Sequence, residues 1–158
     1  MARGPASGRD AARLTYGLAV RRIIYASRAR HAFEDQELVD LLQRARATNL
    51  ERDVTGMLVY AAQSFLQLFE GEVEDVEVVW DRIRLDDRHT DLRVLGDGPV
   101  TARLYPDWAM GFEHVEAEEL ERTLPGYRSS TDYPFVSSQL VDAADTAETL
   151  LELYSRRS

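Results

Sequence analysis

The stretch FLQLFEG, residues 65–71, places a primary amide in the middle of an apolar strand. Side chains alternate between the two faces of a strand, so Gln67 shares one face with two phenylalanines while two leucines occupy the other. Because both faces are apolar, the pattern predicts a central strand of a sheet. A buried amide without hydrogen-bond partners costs roughly 1–3 kcal/mol, so the sequence also predicts a partner for Gln67 on its own face.

The segments around this strand predict an α+β fold. VTGMLVY, at residues 54–60, is joined to the Gln67 strand by a short polar link, as in a β-hairpin. RRIIYAS, at residues 21–27, is short and β-branched, and it predicts an earlier strand. Apolar residues recur at helical spacing over residues 35–49 and again over residues 76–83, so each stretch predicts a helix.

Residues 91–112 complete the sheet in this prediction. They predict two short strands, interrupted by GDG at residues 96–98 and by Pro106. The resulting order, βαββαβ followed by a fifth strand, predicts a ferredoxin-like, mixed five-stranded sheet with both helices on one face. In that topology the first and third strands are neighbours, so Tyr25 and Gln67 should lie within reach of each other.

The chain length suits one domain with flanking segments. We expect a lead-in at residues 1–17, a core domain at residues 18–113 and a helical cap at residues 114–158. The last helix of the cap carries an apolar stripe of Leu140, Ala144, Ala147, Leu151 and Tyr154. This stripe needs a surface to cover, and either the sheet face opposite the two main helices or a second subunit would provide it.

Composition excludes several classes of function. The 28 acidic and 19 basic side chains give a formal charge of −9, whereas a surface that tracks phosphates is normally basic, so we expect no direct nucleic-acid partner. The absence of Cys removes disulfides, thiolate metal sites and thiol nucleophiles. No apolar run approaches the roughly 20 residues of a membrane span, so we expect a cytoplasmic protein with no membrane contact.

Three polar side chains are predicted to converge on one crevice between the helices and the sheet. They are Tyr25 on the first strand, Asn49 at the end of the first helix and Gln67 on the third strand. An apolar crevice with a few aimed polar groups is the usual form of a cofactor pocket. The alternative is structural, because Tyr25 or a backbone group could simply satisfy the buried amide of Gln67.

Five motifs together resemble the BLUF family, sensors of blue light using FAD. They follow the family's order and spacing over residues 20–112. The motifs are RRIIYAS (21–27), TNLERDVTGMLVY (48–60), FLQLFEG (65–71), DRIRLDDRH (81–89) and WAMGF (108–112). The resemblance implies the ferredoxin-like fold already predicted from the pattern, with the flavin between the two helices.

By that resemblance, Tyr25 is the electron and proton donor to the photoexcited flavin. Gln67 bridges Tyr25 to the N5 and O4 edge of the ring, and light leaves its amide rotated or tautomerised with a stronger hydrogen bond to O4. This change would shift the absorption to the red without net chemistry. Asn49 is implied at the pyrimidine end of the ring, and Arg88 at the C2 carbonyl.

The resemblance implies further contacts with FAD, or with FMN or riboflavin in its place. Arg82 and Asp86 would hold the ribityl and phosphate part, and Ser27 and His89 lie in motifs that contact the cofactor. The expected apolar walls are Leu41, Leu58, Phe65 and Ile83. No metal ion is expected.

Trp108 and Met110 occupy the family's signal-relay segment, where one replaces the other near Gln67. The alternative is that both are core residues of a strand. His89 has a structural alternative too, as a histidine that favours the dipole at a helix end. Thr48 departs from the family pattern, in which many members carry a second Asn, and this could weaken a polar contact to the flavin.

Three functions remain open at this stage. The first is a short photoreceptor that binds FAD, forms a homo-oligomer and signals to a separate downstream protein. The second is a small ferredoxin-like hydrolase or isomerase; His31, His89 and His114 lie apart and form no triad-like arrangement. The third is a flavin-free interaction module whose pocket has collapsed.

Overall fold

Seven helices and strands lie in the part of the chain that the structure describes. A computed structural model describes residues 20–116 together with residues 118, 119, 122 and 151. The elements are β1 (Val20–Ala29), α1 (Asp35–Arg52), β2 (Thr55–Ala61), β3 (Ser64–Gly71), α2 (Val73–Leu85), β4 (His89–Val100) and β5 (Gly111–His114). The predicted lead-in and most of the predicted helical cap lie outside the described residues.

The five strands form one mixed sheet in the order β4-β1-β3-β2-β5. The β2 and β5 strands are parallel, and the other three pairs are antiparallel. The first four strands have the ferredoxin-like order, and β5 extends the sheet beside β2. The prediction of a ferredoxin-like sheet is therefore confirmed. Tyr25 and Gln67 are direct partners in the β1–β3 register.

Both faces of the sheet are covered by apolar side chains, and β3 is buried along its whole length. On one face, the apolar residues of α1 and α2 pack against side chains that include Tyr25 and Phe65. On the other face, Leu66 and Leu68 belong to a cluster that also contains Leu151, a helical residue with a fully buried side chain. Burial on both sides explains why a strand with no polar face lies at the centre.

Glu70, on the face of β3 away from Gln67, has a fully buried carboxylate. Its Oε1 accepts a hydrogen bond from Arg22 Nε at 3.0 Å, and its Oε2 accepts one from the backbone N–H of Tyr105 at 2.8 Å. A buried charge persists only where it is paired and hydrogen-bonded, as here. The bond from Tyr105 connects the chain after β4 to the central strand β3.

The end of α1 places Asn49 beside the sheet. Asp53 follows the helix with a φ of 54°, and its N–H reaches the carbonyls of Asn49 and Leu50. This left-handed residue ends the helix abruptly, so that Asn49 lies in the last turn with its side chain 3% exposed. The inward orientation predicted for Asn49 is confirmed.

Two predictions about residues 91–112 are wrong. The GDG sequence does not interrupt a strand, because β4 runs through it and Asp97 and Gly98 pair with β1. The β1–β4 register shifts before this sequence, between Ile24 and Tyr25 and between Ala26 and Arg28, and Arg21 donates to both carboxylate oxygens of Asp97. Trp108 and Met110 lie in no strand, since they belong to the irregular segment that precedes β5.

Candidate functional site

A cavity of about 180 Å³ lies between the two helices and the sheet. Eleven of the residues predicted to contact a cofactor line it, namely Tyr25, Leu41, Asn49, Leu58, Phe65, Gln67, Arg82, Ile83, Asp86, Arg88 and His89. Ser27, the twelfth, is fully buried outside this lining. The cavity therefore has contributions from β1, both helices, β2, β3 and the start of β4.

The Tyr25 and Gln67 side chains form a hydrogen-bonded pair at the floor of the cavity. The Tyr25 hydroxyl donates to Gln67 Oε1, and the two residues are 4% and 7% exposed. The ring of Tyr25 lies 5.3 Å from that of Trp80, measured between centroids. Burial raises the pKa of the Tyr25 phenol well above its usual range, with a further contribution from the negative charge of Asp86. The phenol therefore keeps its proton at neutral pH.

The other end of the Gln67 amide faces Met110. Gln67 Nε2 donates to Met110 Sδ at 3.6 Å, so the amide has a partner at its acceptor end and at its donor end. Trp108 lies elsewhere: its ring stacks on Tyr105 at a centroid distance of 6.1 Å, against the cluster on the far face of the sheet. In this structure Met110, and not Trp108, is the neighbour of Gln67.

Asn49 joins the cavity to the segment before β5. Its Nδ2 donates to the carbonyl of Ala109 at 2.6 Å, while the residue also lines the cavity. The sequence gives no signal for this bond, because the acceptor is a backbone atom of an irregular segment.

Ser27 and His89 contact each other behind the cavity wall. His89 Nε2 lies 2.7 Å from the carbonyl of Ile83, and Nδ1 lies 2.8 Å from the Ser27 hydroxyl. A carbonyl only accepts, so Nε2 carries the proton and, in the neutral ring, Nδ1 accepts from Ser27. His89 is the first residue of β4, yet its ring donates to a carbonyl in the last turn of α2. This contact agrees with the structural alternative of a histidine at a helix end. Ser27 thus orients His89 and does not itself reach the cavity.

The polar side of the cavity carries three arginines and one carboxylate. Arg88 Nε and one terminal nitrogen of its guanidinium bind Asp86 at 2.9 Å and 2.5 Å, and these bonds hold the pKa of Asp86 below its usual range. This geometry leaves the other terminal nitrogen of Arg88 available as a donor. Within the described part of the chain, Arg44 and Arg82 line the cavity without a hydrogen-bonded partner.

Four further lining residues are not among the predicted cofactor contacts: Phe33, Arg44, Ala45 and Val79. Thr48, noted as a departure from the family pattern, lines the cavity as well. A signal existed for four of these five, because Arg44, Ala45 and Thr48 follow Leu41 by three, four and seven residues on α1, and Val79 precedes Ile83 by four residues on α2. Phe33 lies in the turn before α1, where periodicity gives no information.

Alkaline pH should expose the cost of ionising Tyr25. The folded pKa is raised, so its contribution to stability is complete below the unfolded pKa of about 10 and is lost as pH rises toward the folded pKa. In that window we expect the unfolding free energy of wild type relative to Tyr25→Phe to fall by about 1.4 kcal/mol per pH unit. Urea unfolding at a series of pH values measures this difference. A difference that stays constant across the window would contradict the prediction.

Metal sites and membrane spans receive no support from the described residues. Within residues 20–116 and the four isolated positions, no group of His, Asp and Glu side chains could hold a metal ion. Across the same residues, none of the helices has the length and apolar character needed to cross a membrane.

The fold and the cavity together define a small-molecule-binding domain of the α+β class, with a buried tyrosine and glutamine at the floor of its site. The chain belongs to the BLUF family, because the family model described as sensors of blue-light using FAD matches residues 20–111. Members of this family are flavin-binding blue-light photoreceptor domains, and the Tyr25–Gln67 hydrogen bond fits their mechanism of sensing.

Curated relatives contain a similar region within longer chains. Photoactivated adenylate cyclase subunit beta of Euglena longa is 35% identical over 100 residues, which are 62% of this chain and 12% of that protein. Photoactivated adenylate cyclase subunit alpha of Euglena gracilis is 33% identical over 99 residues, which are 61% of this chain and 10% of that protein. The chain thus spans about a tenth of the length of these curated relatives.

Solved structures show the same fold at similar identity. The dark-state structure of BlrB, a BLUF protein, is 30% identical with a TM-score of 0.59, over 67% of this chain and 79% of that chain. The ground state of BlsA is 32% identical with a TM-score of 0.58, over 64% of this chain and 69% of that chain. Both comparisons support the ferredoxin-like arrangement described above.

Proposed function

We propose that this chain senses blue light by binding FAD in the cavity between α1 and α2 and by rearranging the hydrogen bonds of Gln67. The observation that carries the proposal is the buried Tyr25–Gln67 pair at the floor of that cavity. A purely structural partner for Gln67 would not require an open cavity beside it. The cavity and the pair together fit a site in which the amide also meets a bound ligand.

The lining of the cavity suits the ring system of a flavin. Leu41, Leu58, Phe65 and Ile83 supply apolar walls for the faces of the ring. The pyrimidine edge of a flavin carries alternating donors and acceptors, which the amides of Asn49 and Gln67 can match. Arg88, with one terminal nitrogen not engaged by Asp86, would donate to the C2 carbonyl.

The arginines at the polar side support a phosphorylated flavin as the ligand. Arg82, on α2, would hold the ribityl and phosphate part, with Asp86 accepting from ribityl hydroxyls. Arg44, across the cavity on α1, adds a second guanidinium with no partner in the described part of the chain. Guanidinium groups bind phosphate oxygens through paired N–H donors, so FAD and FMN should bind more tightly than riboflavin.

When bound, the flavin absorbs blue light and becomes an electron acceptor. Tyr25 is the side chain that can supply an electron and a proton together, because its phenol keeps its proton and Gln67 Oε1 already accepts a hydrogen bond from it. The Gln67 amide has unlike ends, so rotation or tautomerisation exchanges the donor and acceptor that it presents. Rotation makes this exchange without covalent change, tautomerisation moves only a proton from the amide nitrogen to its oxygen, and either can reverse in the dark.

The signal must leave through a further protein element. BLUF domains are sensor modules that couple to effectors such as adenylyl cyclase. For this chain we propose a homo-oligomer, a separate downstream protein and a cytoplasmic location. Size-exclusion chromatography with light scattering, in the dark and under blue light, tests the oligomer.

The light-minus-dark absorption spectrum of the purified protein tests the proposed function. We expect a yellow protein whose flavin absorption shifts to the red in blue light and returns in the dark. Gln67→Leu should keep the flavin and lose the shift, because leucine matches the size of the side chain without an amide to rearrange. Gln63→Leu is the matched control, since Gln63 lies in the β2–β3 turn outside the cavity lining, and it should retain the shift.

Two outcomes contradict the proposal in different ways. A colourless preparation that takes up no FAD would favour a flavin-free interaction module. A Gln67→Leu variant that keeps the full red shift would leave flavin binding intact and remove Gln67 from the mechanism.

A further inference from the structure

Three successive backbone carbonyls before β5 each accept a hydrogen bond from another element. The carbonyl of Trp108 accepts from the N–H of Gly56 at 3.0 Å. The carbonyl of Ala109 accepts from Asn49 Nδ2 at 2.6 Å, and that of Met110 accepts from Arg46 Nε at 2.9 Å. The segment is therefore held by β2 on one side and by α1 on the other.

Arg46 differs from Asn49 in its position relative to the cavity. The two residues are three apart on α1, so they lie on the same side of the helix. Asn49 lines the cavity, whereas Arg46 does not and borders an open groove next to residues 108–112. Arg46 thus reaches Met110 from outside the proposed flavin site. Its substitution therefore changes none of the residues that line the cavity.

Met110 is held at both ends. Its sulfur accepts from the Gln67 amide inside the protein, and its carbonyl accepts from the Arg46 guanidinium near the surface. The sulfur contact needs the donor end of the amide, so it is lost when Gln67 exchanges its ends. The bond from Arg46 does not depend on the orientation of Gln67, and it remains to hold the Met110 backbone.

We propose that Arg46 is a positioning residue that keeps Met110 seated against Gln67 in the dark and speeds the return after illumination. The second half of this statement rests on the proposed function. With Arg46 in place, the backbone of Met110 stays where the dark contact can form again. Without it, Met110 moves away from Gln67 in the light state. It must then return before the Gln67 amide can donate to its sulfur again.

The test compares Arg46→Leu and Arg46→Lys in the full chain. Leucine keeps the helix propensity of this position but donates no hydrogen bond, whereas the lysine ammonium can still donate to the Met110 carbonyl. Gln43→Leu, on the exposed surface of the same helix, is the matched control. The chain has 3 methionines, so methyl-labelled methionine gives a simple NMR spectrum, which Met57→Leu assigns.

We expect Arg46→Leu to move the dark-state methyl signal of Met110 and to leave that of Met57 in place. The red shift should persist, and dark recovery should slow about fivefold, the effect of losing one partly exposed charge-assisted hydrogen bond. Arg46→Lys and Gln43→Leu should resemble the wild type in both measurements.

Three results would overturn the proposal: an unmoved Met110 signal in Arg46→Leu, an unchanged recovery rate, or a lysine variant that behaves like leucine. The last result would assign the effect to packing. If the wild type shows no light response, the proposed function fails, while the dark-state signal of Met110 still tests the positioning role.

Discussion

Tyr25→Phe should abolish the light-induced red shift while flavin remains bound. Phenylalanine keeps the ring that packs beside Trp80, so the cavity should keep its shape. It lacks the hydroxyl that donates to Gln67 Oε1. Without a phenol it has no proton to give, and its ring is much harder to oxidise. The light-minus-dark spectrum of the flavin-loaded variant measures the effect, and complete loss is expected.

Tyr60→Phe is the matched control for this variant. Tyr60 is as buried as Tyr25, but its hydroxyl accepts from the backbone of Phe33 and it lies outside the cavity lining. Its substitution should lower stability and keep the red shift. If Tyr25→Phe retained a shift comparable to that of Tyr60→Phe, the phenol would not be the donor, and another group would have to supply the electron.

Gly56→Ala should strongly destabilise the protein. An added Cβ would lie 2.0 Å from the carbonyl oxygen of Leu68 and 2.9 Å from Cα of Phe69. Both atoms belong to the backbone of β3, so relief requires the β2–β3 ladder to separate. We expect a loss of about 3 kcal/mol or more in the free energy of unfolding, measured by urea titration.

Gly98→Ala gives the comparison, because an added Cβ at that position meets no atom within 4 Å. It should change the unfolding free energy by about 0.5 kcal/mol or less. Equal effects of the two substitutions would mean that the close approach of β2 and β3 at Gly56 is not what restricts this position.

The central part of the fold could be predicted because its signals are local and mutually consistent. The Gln67 strand is apolar on both faces, which places it at the centre of the sheet, and the βαββαβ order then makes Tyr25 its neighbour. Helical spacing directs Asn49 inward for the same reason. In each case a short period in the sequence determines which face a side chain occupies.

The remainder could not be predicted because it depends on irregular backbone. The strand β4 passes through GDG in continuous register with β1, although glycines usually mark a turn, and no residue pattern signals the register shifts that precede it. The positions of Trp108 and Met110 follow from three hydrogen bonds to backbone carbonyls. Every residue has such a carbonyl, so the side-chain pattern does not predict these bonds. Ser27 occupies a motif that contacts the cofactor in the family, yet its hydroxyl contacts His89 and does not reach the cavity.

The buried carboxylate of Glu70 limits which part of the chain can move after illumination. It fixes the chain at Tyr105, and strand pairing fixes it again at Gly111. Between these points, hydrogen bonds to the carbonyls of Trp108, Ala109 and Met110 hold residues 106–110, and breaking them would leave the buried ion pair and the β2–β5 ladder intact. We therefore expect any light-driven displacement to be confined to this loop, which is one residue longer than β5, while the sheet stays rigid.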